Sequence, residues 1–232
     1  MTAERIQVGI NGLDEMLGGG FIPGTINGII GSYGTGKTTF ILNYIYTGLK
    51  NGENVIFISL EEREDRILQY MAQKGWDVSP YLNKSLNIIK MDPIDFNLAI
   101  NNVKNELPEL VKKLNVRRIA IDPISLFEDL FDSTASRRKE MFRFVENLKD
   151  LDCTLLMTSE TSSEVLYSSR YNLIEYLCDT VILLRYVRPS ELSTTQLAIE
   201  VVKMRLSPHS REIKPFEIME DQILVYTEAN VF

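Results

Sequence analysis

The sequence predicts an α/β protein with a mainly parallel central sheet that is flanked by helices and ends in antiparallel strands. From residue 25 to residue 185, predicted strands alternate with predicted helices, a rhythm that is typical of right-handed βαβ crossovers. After residue 185, the remaining predicted strands follow one another with no helix between them, which favours antiparallel pairing. The 232 residues contain no repeat, low-complexity tract or linker, so we expect a single domain over residues 1–232.

Each predicted element has the composition that its type of structure favours. The strands are apolar runs rich in β-branched residues: 25–30, 54–60, 86–90, 118–122, 154–159, 180–185, 197–204, 213–218 and 223–226. The helices carry apolar residues at helical spacing: 11–17, 38–49, 64–74, 97–114 and 137–151. Pro108 should kink or split the fourth helix, because it removes a backbone donor. A hairpin connection is expected at residues 188–191.

The most informative stretch joins the strand 25–30 to the helix 38–49. It fits the phosphate-binding pattern G-x-x-x-x-G-K-[ST] at every fixed position. Glycines let successive backbone N–H groups turn inward toward phosphate oxygens, and the N-terminus of the following helix favours negative charge. Lys37 adds a positive charge for the β- and γ-phosphates, and the Thr38 hydroxyl can ligate Mg²⁺. The residues predicted to bind the nucleotide are Gly31, Ser32, Tyr33, Gly34, Thr35, Gly36, Lys37, Thr38 and Thr39.

The composition is that of an ordinary globular protein. Hydrophobic residues make up 44% of the chain and charged residues 25%. No apolar run is long enough to cross a membrane, and the first residues begin no secretory signal. Cys153 and Cys178 have no metal-binding spacing and begin apolar runs, so we expect buried free thiols and a cytoplasmic protein. The net charge of −7 argues against a surface covered in basic residues for duplex DNA.

Carboxylates follow two of the predicted strands. Asp122 ends the strand 118–122, a place where such folds hold Mg²⁺, usually through water; an ordinary turn-opening aspartate is the alternative. Glu61 and Glu62 follow the strand 54–60, where one of them could activate the water that attacks the γ-phosphate. The alternative is that Glu62 and Glu64 complement the dipole of the next helix, and both roles can hold together.

The order of several short motifs resembles the KaiC-like branch of the RecA-type ATPases. In chain order they are GINGLD (9–14), LGGGFIPG (17–24), the phosphate loop, ISLEE (58–62), GWD (75–77), IDPIS (121–125) and KMR (203–205) with His209. The resemblance extends from about Ile6 to the last predicted strand. It implies a RecA-type core that binds ATP at the carboxyl edge of the sheet between adjacent subunits, and therefore a homo-oligomer, either a hexameric ring or a filament.

The resemblance also implies roles for individual residues. Glu61 falls on the family's catalytic glutamate, with Glu62 as its partner. Thr38 and Asp122 fall on the Mg²⁺ positions. Thr158 and its neighbour Ser159 resemble the polar position that senses the γ-phosphate.

Lys203 and Arg205 lie two residues apart on a predicted strand, so both side chains can project from one face. In the family, the matching basic residues reach the ATP of the neighbouring subunit, as an arginine finger supplied in trans. The resemblance places Ser207 and His209 at the same interface as nucleotide contacts. The family often has Gly followed by Ser or Thr after the arginine, whereas this chain has a leucine there and a proline two positions later, which should stiffen the turn. A solvated surface strand is the alternative.

By resemblance, the loops 128–138 and 160–172 face the axis of the ring or filament. The second loop contains residues that could stack bases and bind phosphate, or could pack against a neighbouring subunit: Tyr167, Arg170 and Tyr171. Acidic residues in both loops weaken the interpretation as a nucleic-acid site: Glu128, Asp129, Asp132, Glu160 and Glu164. Packing is therefore favoured.

Three functional hypotheses follow from the resemblance. The first is a regulatory or assembly ATPase whose nucleotide state controls oligomerisation and binding of a protein partner. The second is an archaeal recombinase paralogue that binds single-stranded DNA; a full recombinase is not expected, because the chain begins almost directly at the core. The third is an accessory nucleotide-binding module of a motor complex, against which the intact Lys37, Glu61 and Asp122 speak. The single phosphate loop excludes a two-domain clock protein, and no particular Ser or Thr is identified for autophosphorylation.

Overall fold

Nine strands form one sheet in the computed structural model, which describes residues 4–92, 96–162, 167–188 and 194–231. The strands are β1 (Ile26–Gly31), β2 (Asn54–Ser59), β3 (Leu86–Lys90), β4 (Val116–Asp122), β5 (Thr154–Glu160), β6 (Thr180–Val187), β7 (Gln196–Met204), β8 (Lys214–Ile218) and β9 (Ile223–Val225). Their order is β3-β2-β4-β5-β1-β6-β7-β8-β9. Strands β1 to β6 pair in parallel and β6 to β9 antiparallel, which confirms the predicted fold class.

Helices cover both faces of the parallel part of the sheet. They are α1 (Leu13–Met16), α2 (Lys37–Lys50), α3 (Glu64–Gln73), α4 (Phe96–Asn101), a π-helical segment (Asn102–Glu106), α5 (Leu107–Leu114), α6 (Ser125–Glu128), α7 (Thr134–Lys149) and α8 (Ile174–Leu177). One apolar core lies between the sheet and α2, and a second lies between the sheet and α5 and α7. Side chains of β1 alternate between them, since Ile29 joins the first core and Ile30 the second. No helix of the described residues has the length and apolar character needed to cross a membrane.

The fourth predicted helix differs from the prediction in where it is interrupted. The irregular part is the π-helical segment, which precedes Pro108. Pro108 itself lies in the first turn of α5, where its missing N–H has no intrahelical partner to lose. The predicted helix is therefore split into α4, the π-helical segment and α5, and Pro108 lies at the start of the last part.

Several element boundaries also differ from the predicted ones. Helix α7 begins at Thr134, three residues before the predicted start, because the Ser133 side chain caps it by accepting a hydrogen bond from the Ser136 N–H at 3.1 Å. The short helices α6 and α8 were not predicted, since four residues are too few to show a period. Most of the predicted hairpin connection, residues 189–191, lies outside the described residues.

A buried arginine connects the N-terminal segment to the sheet. Arg118 on β4 has no exposed surface and forms a bidentate ion pair with Glu53, in which its Nη2 lies 3.1 Å from Oε1. Its Nη1 donates to the backbone carbonyls of Gln7 at 2.6 Å and Tyr44 at 3.1 Å. The guanidinium also lies 4.7 Å from the centre of the Tyr44 ring. A strand, a helix and the N-terminal segment therefore depend on one fully desolvated charge.

We expect Arg118→Met to lower the free energy of unfolding by about 3–5 kcal/mol, because it leaves the Glu53 carboxylate, which is only 16% exposed, unpaired, and removes the donor to two buried carbonyls. Urea unfolding of the variant measures the loss. The matched control is Arg117→Met, one residue earlier, which removes an exposed ion pair with Glu4 and should cost less than about 1 kcal/mol. Equal losses of unfolding free energy in the two variants would show that the buried ion pair stabilises the protein no more than the exposed one.

Candidate nucleotide site

The loop between β1 and α2 has the backbone that phosphate binding requires. Gly34 and Gly36 have φ angles of 76° and 91°, a region that residues with a Cβ rarely adopt. At Gly36 a Cβ would also lie 2.2 Å from the Ile218 Cδ1 atom, so the Ile218 side chain would have to move. The Thr35 hydroxyl donates to the Ser32 carbonyl at 2.7 Å and holds the loop closed on itself. Tyr33, also predicted to contact nucleotide, is 87% exposed at the tip of the loop.

Lys37 begins α2 and folds back over this loop. Its Nζ donates to the carbonyls of Gly31 at 2.8 Å and Ser32 at 3.1 Å. Burial lowers the pKa of the Lys37 ammonium, while neighbouring carboxylates act in the opposite direction: Glu160, Asp122 and Glu61. The two carbonyl oxygens therefore hold the Lys37 ammonium at the loop. A bound phosphate could take their place as its hydrogen-bond acceptor.

The two predicted metal ligands lie next to each other. The Thr38 hydroxyl donates to Asp122 Oδ2 at 2.9 Å, and the Thr158 hydroxyl donates to Asp122 Oδ1. Burial raises the pKa of Asp122, opposed by the hydrogen bonds from Thr158 and Thr38. A hydroxyl and a carboxylate at one point form the all-oxygen donor set that Mg²⁺ prefers, with water completing its shell. Among the described residues, no group of three His, Cys, Asp or Glu side chains offers another metal site.

Ser159 is placed differently from its neighbour Thr158. Successive side chains on a strand point to opposite faces, so Thr158 reaches Asp122 while Ser159 turns into the second core. There the Ser159 hydroxyl lies 3.3 Å from Glu128 Oε2. The resemblance assigned γ-phosphate sensing to this pair, and only Thr158 shares the site of Thr38 and Asp122.

Glu61 and Glu62 lie in the connection from β2 to α3. Helix α3 begins at Glu64, so the first-turn charges that complement its dipole are Glu64 and Asp65. Glu64, one of the two residues predicted to complement this dipole, thus lies in the first turn, whereas Glu62 lies just before the N-cap residue Arg63. Both Glu61 and Glu62 line a cavity of about 280 Å³ that begins at Thr38 and Thr39.

The far end of this cavity was not predicted from the sequence. Its other walls are Leu42, Tyr70, Gln73, Lys74 and Trp76. The Trp76 Nε1 donates to the Asp221 carbonyl at 3.0 Å, and Lys74 Nζ donates to the Met219 carbonyl. The turn between β8 and β9 is thereby held beside the cavity. The sequence showed Gly-Trp-Asp at 75–77 only as a family motif, because both contacts join residues 145 positions apart.

Lys203 and Arg205 lie far from the phosphate loop of their own chain. Lys203 pairs with Val181 at the start of β6, and its Nζ donates to the carbonyls of Glu175 and Cys178, both at 2.7 Å. The Arg205 N–H bonds to the Asp179 carbonyl, which places Arg205 at the amino edge of the parallel strands. Across β1 the two edges are roughly 17 Å apart, since a strand rises about 3.3 Å per residue. A role of these cations at a nucleotide requires a second subunit.

The residues after Arg205 occupy the same edge. The Arg5 Nη2 donates to the Ser207 Oγ at 2.7 Å. Both ring nitrogens of His209 are buried without a hydrogen-bond partner among the described residues. Leu206 has a φ of 62° and is 90% exposed, so the position where the family often has glycine keeps the left-handed backbone with a leucine.

The two loops predicted to face an axis are tied to each other. Arg170 Nη1 lies 3.0 Å from Glu160 Oε2 and 3.2 Å from Asp129 Oδ2. The Tyr171 hydroxyl donates to Asp129 Oδ1 at 2.7 Å, and the Arg137 guanidinium lies 3.6 Å from the centre of its ring. Arg170 and Tyr171 are therefore engaged within the chain, which disfavours base stacking and leaves the predicted packing against a neighbouring subunit a prediction. Residues 163–166, which include the predicted acidic Glu164, lie outside the described residues.

Glu128, predicted as a loop residue, is fully buried at the end of α6. Its Oε1 has no hydrogen-bond partner among the described residues, and Arg137 donates to the Glu128 backbone carbonyl at 2.7 Å instead of to the carboxylate. Burial raises the pKa of Glu128 to about 7, and the nearby Asp129 and Glu175 act in the same direction. The carboxyl group therefore titrates near neutral pH.

Comparisons with known proteins agree with this geometry. The family model described as "ATPase: KaiC" matches residues 6–230. The circadian clock oscillator protein KaiC of Prochlorococcus marinus (strain MED4) is 30% identical over 97% of this chain and 46% of its own length. The circadian clock protein KaiC3 of Synechocystis is 29% identical over 96% of this chain and 45% of its own length. The chain thus spans less than half the length of these relatives.

A solved structure is similar over nearly its whole length. The crystal structure of the KaiC-like protein PH0186 from Pyrococcus horikoshii OT3 superposes with a TM-score of 0.84 at 30% sequence identity. The match covers 97% of this chain and 99% of that chain. The fold and the order of the site elements are therefore those of a known KaiC-like structure.

The raised pKa of Glu128 predicts how stability depends on pH. Because the folded state holds this proton up to about pH 7 and the unfolded state releases it near 4.5, the free energy of unfolding should fall as the pH rises between these values. The total loss should approach about 3 kcal/mol. Glu128→Gln should remove that pH dependence, so that the variant is more stable than the unaltered protein at pH 8. Urea unfolding from pH 5 to 8 measures it, with Glu146→Gln on the exposed face of α7 as control. Parallel pH profiles for both variants would contradict the assignment.

Proposed function

Because this chain belongs to the KaiC family of ATPases, we propose that it binds ATP with Mg²⁺ at the loop between β1 and α2 and hydrolyses it with Glu61 as the base. We further propose that the chain acts as a regulatory or assembly ATPase, in which a second subunit completes the site. The chain would then couple its nucleotide state to oligomerisation.

One observation carries the proposal. The hydrogen bond of 2.9 Å between the Thr38 hydroxyl and Asp122 Oδ2 joins the first turn of α2 to the end of β4. It brings the phosphate loop, the metal ligands and the cavity lined by Glu61 to one edge of the sheet. Ligands of open α/β sheets bind outside the carboxyl ends of the strands, which is where these groups meet.

Each group has a distinct chemical task in the proposed reaction. Backbone N–H groups of the loop and the Lys37 ammonium bind the β- and γ-phosphates and hold them against the start of α2. Mg²⁺, when bound by Thr38 and Asp122, neutralises charge on the phosphates. Glu61 accepts a proton from the water that attacks the γ-phosphate, and its side chain is exposed to solvent.

The cavity lined by Leu42, Tyr70 and Trp76 is where the adenine would lie. It is continuous with Thr38 and Thr39 and has one aliphatic and two aromatic walls, as a heterocyclic base requires. The Trp76 ring is itself stacked on Tyr46, with ring centres 5.6 Å apart at an interplanar angle of 17°. The wall is therefore rigid before any ligand enters.

A head-to-tail assembly follows from the position of the two basic residues. The phosphate loop lies at one edge of the sheet and Lys203 with Arg205 at the other. A heterologous contact, in which the second edge of one copy meets the first edge of the next, would bring both sets together in a ring or a filament. Binding of single-stranded DNA is less well supported, because Arg170 and Tyr171 are engaged within the chain.

The first prediction separates binding from hydrolysis. Lys37→Ala should weaken ATP binding by about 100-fold or more, because it removes the cation that meets the phosphates. Glu61→Gln should keep ATP affinity and lower the hydrolysis rate by about 100-fold or more, because the amide cannot accept the proton. Equilibrium titration with a fluorescent ATP analogue and phosphate release measure the two quantities.

Two variants of the same chemistry control this test. Glu64→Gln, in the exposed first turn of α3, removes one nearby carboxylate and should leave both quantities unchanged. Glu62→Gln tests the other acid of the cavity. Loss of hydrolysis in Glu62→Gln together with turnover in Glu61→Gln would reassign the base to Glu62.

The second prediction tests the shared site. Lys37→Ala and Arg205→Ala should each abolish hydrolysis alone, the first through the loop and the second through the neighbouring subunit. Random mixing in a head-to-tail assembly leaves about a quarter of the interfaces with both groups intact. The mixture should therefore recover about a quarter of the unaltered activity.

Light scattering of each variant with ATP and Mg²⁺ is the control for assembly. A mixture that assembles and stays inactive would count against the shared site. Full activity of Arg205→Ala on its own would also count against the shared site.

A further inference from the structure

A second cleft lies on the other side of the phosphate loop from the cavity lined by Glu61. It has a volume of about 410 Å³. Its floor is formed by residues 183–187 of β6 and by Arg188, which follows that strand. Its walls are formed by Ser32, Thr161, Ser162 and Tyr167. We call it the β6 cleft. No acidic residue is among the described residues that line it.

Arg185 carries the chemistry of the β6 cleft. Its side chain is only 16% exposed, and its Nε is buried without a hydrogen-bond partner among the described residues. The ion pair that it makes there, from Nη2 to Glu200 Oε2, is long at 3.5 Å. The central carbon of the Arg185 guanidinium lies 4.6 Å from the centre of the Tyr167 ring. A desolvated guanidinium with so few partners is stabilised by an added anion that its planar fork can bind.

Arg188 adds a second positive charge at the rim of the β6 cleft. Its Nη2 donates to the Thr195 hydroxyl at 3.1 Å, so the guanidinium is positioned without being neutralised by that contact. The carboxylate nearest in chain position to the cleft wall, Glu160, is paired with Arg170 at 3.0 Å. Among the described residues at the cleft, Arg185 and Arg188 with the ion-paired Glu200 sum to a charge of +1, whereas the whole protein carries −7. Charge complementarity therefore favours an anionic ligand.

The rim of the β6 cleft has the composition of a protein interface. Tyr167 and Tyr186, which line it, are 53% and 48% exposed. Tyrosine and arginine are the residues enriched where proteins bind one another. A nucleic-acid backbone would need a longer row of cations than the two that line this cleft. The combination points to a peptide segment that carries carboxylates.

We propose that the β6 cleft is a docking site for an acidic peptide segment of a partner protein, with Arg185 and Arg188 binding its carboxylates and the tyrosines covering its backbone. The cleft shares Ser32 with the phosphate loop, and the Tyr186 hydroxyl lies against Gly34, where a Cβ would be 2.6 Å away. A docked segment would therefore contact the phosphate loop itself. Docking does not depend on the proposed hydrolysis by Glu61.

Fluorescence anisotropy with labelled hexaglutamate tests the proposal on the full chain. The peptide should bind, and uncharged hexaglutamine should not. Arg185→Gln and Arg188→Gln should each weaken hexaglutamate binding by about tenfold or more, which corresponds to one lost charged contact. Arg143→Gln, which removes an exposed cation from α7, should leave it unchanged. ATP titration of the same variants should give unaltered affinity, so that a failure here is distinct from a failure at the nucleotide site.

Four results would overturn the proposal. The first is that hexaglutamate does not bind, and the second is that Arg143→Gln weakens its binding as much as the two cleft variants do. The third is that a hexathymidylate oligonucleotide binds and the two cleft variants lose this binding while they keep the binding of hexaglutamate. The fourth is loss of ATP-dependent self-assembly in Arg185→Gln and Arg188→Gln, which would assign the cleft to an interface between copies of this chain.

Discussion

The buried carboxylate of Asp122 is the constraint around which the nucleotide site is organised. It accepts hydrogen bonds from Thr38 at the start of α2 and from Thr158 on β5, so three separate elements meet at one side chain. Burial alone would favour the protonated acid, and the two hydroxyl donors and the Lys37 charge act against it. The position of the phosphate loop relative to the strand ends therefore follows from satisfying one desolvated carboxylate.

The same geometry gives a reason why the proposed ATP site would need a divalent cation. Three carboxylates act on the Lys37 ammonium, namely Glu160, Asp122 and Glu61, so the acids around the loop outnumber the lysine. A triphosphate brought to this edge adds further negative charge at short range. Without a cation the repulsion would exceed what the loop N–H groups and one lysine can offset. The acids that would bind Mg²⁺ and activate water thus also make binding of free ATP unfavourable.

The parts of the site that the sequence predicted are those with local requirements. Glycines at 34 and 36, a lysine and a hydroxyl at fixed spacing are set by the loop backbone itself, and strand-end acids such as Asp122 follow from periodicity. The missed parts depend on contacts between distant segments. Trp76 reaches the Asp221 carbonyl, and the hydrogen bond from Thr158, itself a predicted site residue, to Asp122 depends on the register in which β4 and β5 pair. Arg118 was predicted only as a strand residue, because its partners lie on other elements.

The sheet also limits how the remaining basic residues can act. Lys203 and Arg205 are fixed near the start of β6 by carbonyls of α8 and its connection, while the phosphate loop follows the end of β1. A side chain cannot cover a distance of roughly 17 Å along the sheet, so no rearrangement of side chains within one chain brings the two sets together. Leu206, which is 90% exposed with a left-handed backbone, lies beside these cations, where a neighbouring copy would cover it in the proposed head-to-tail contact. Both facts favour the proposed assembly, in which the amino edge of each copy contacts the next copy, over a site completed within one chain.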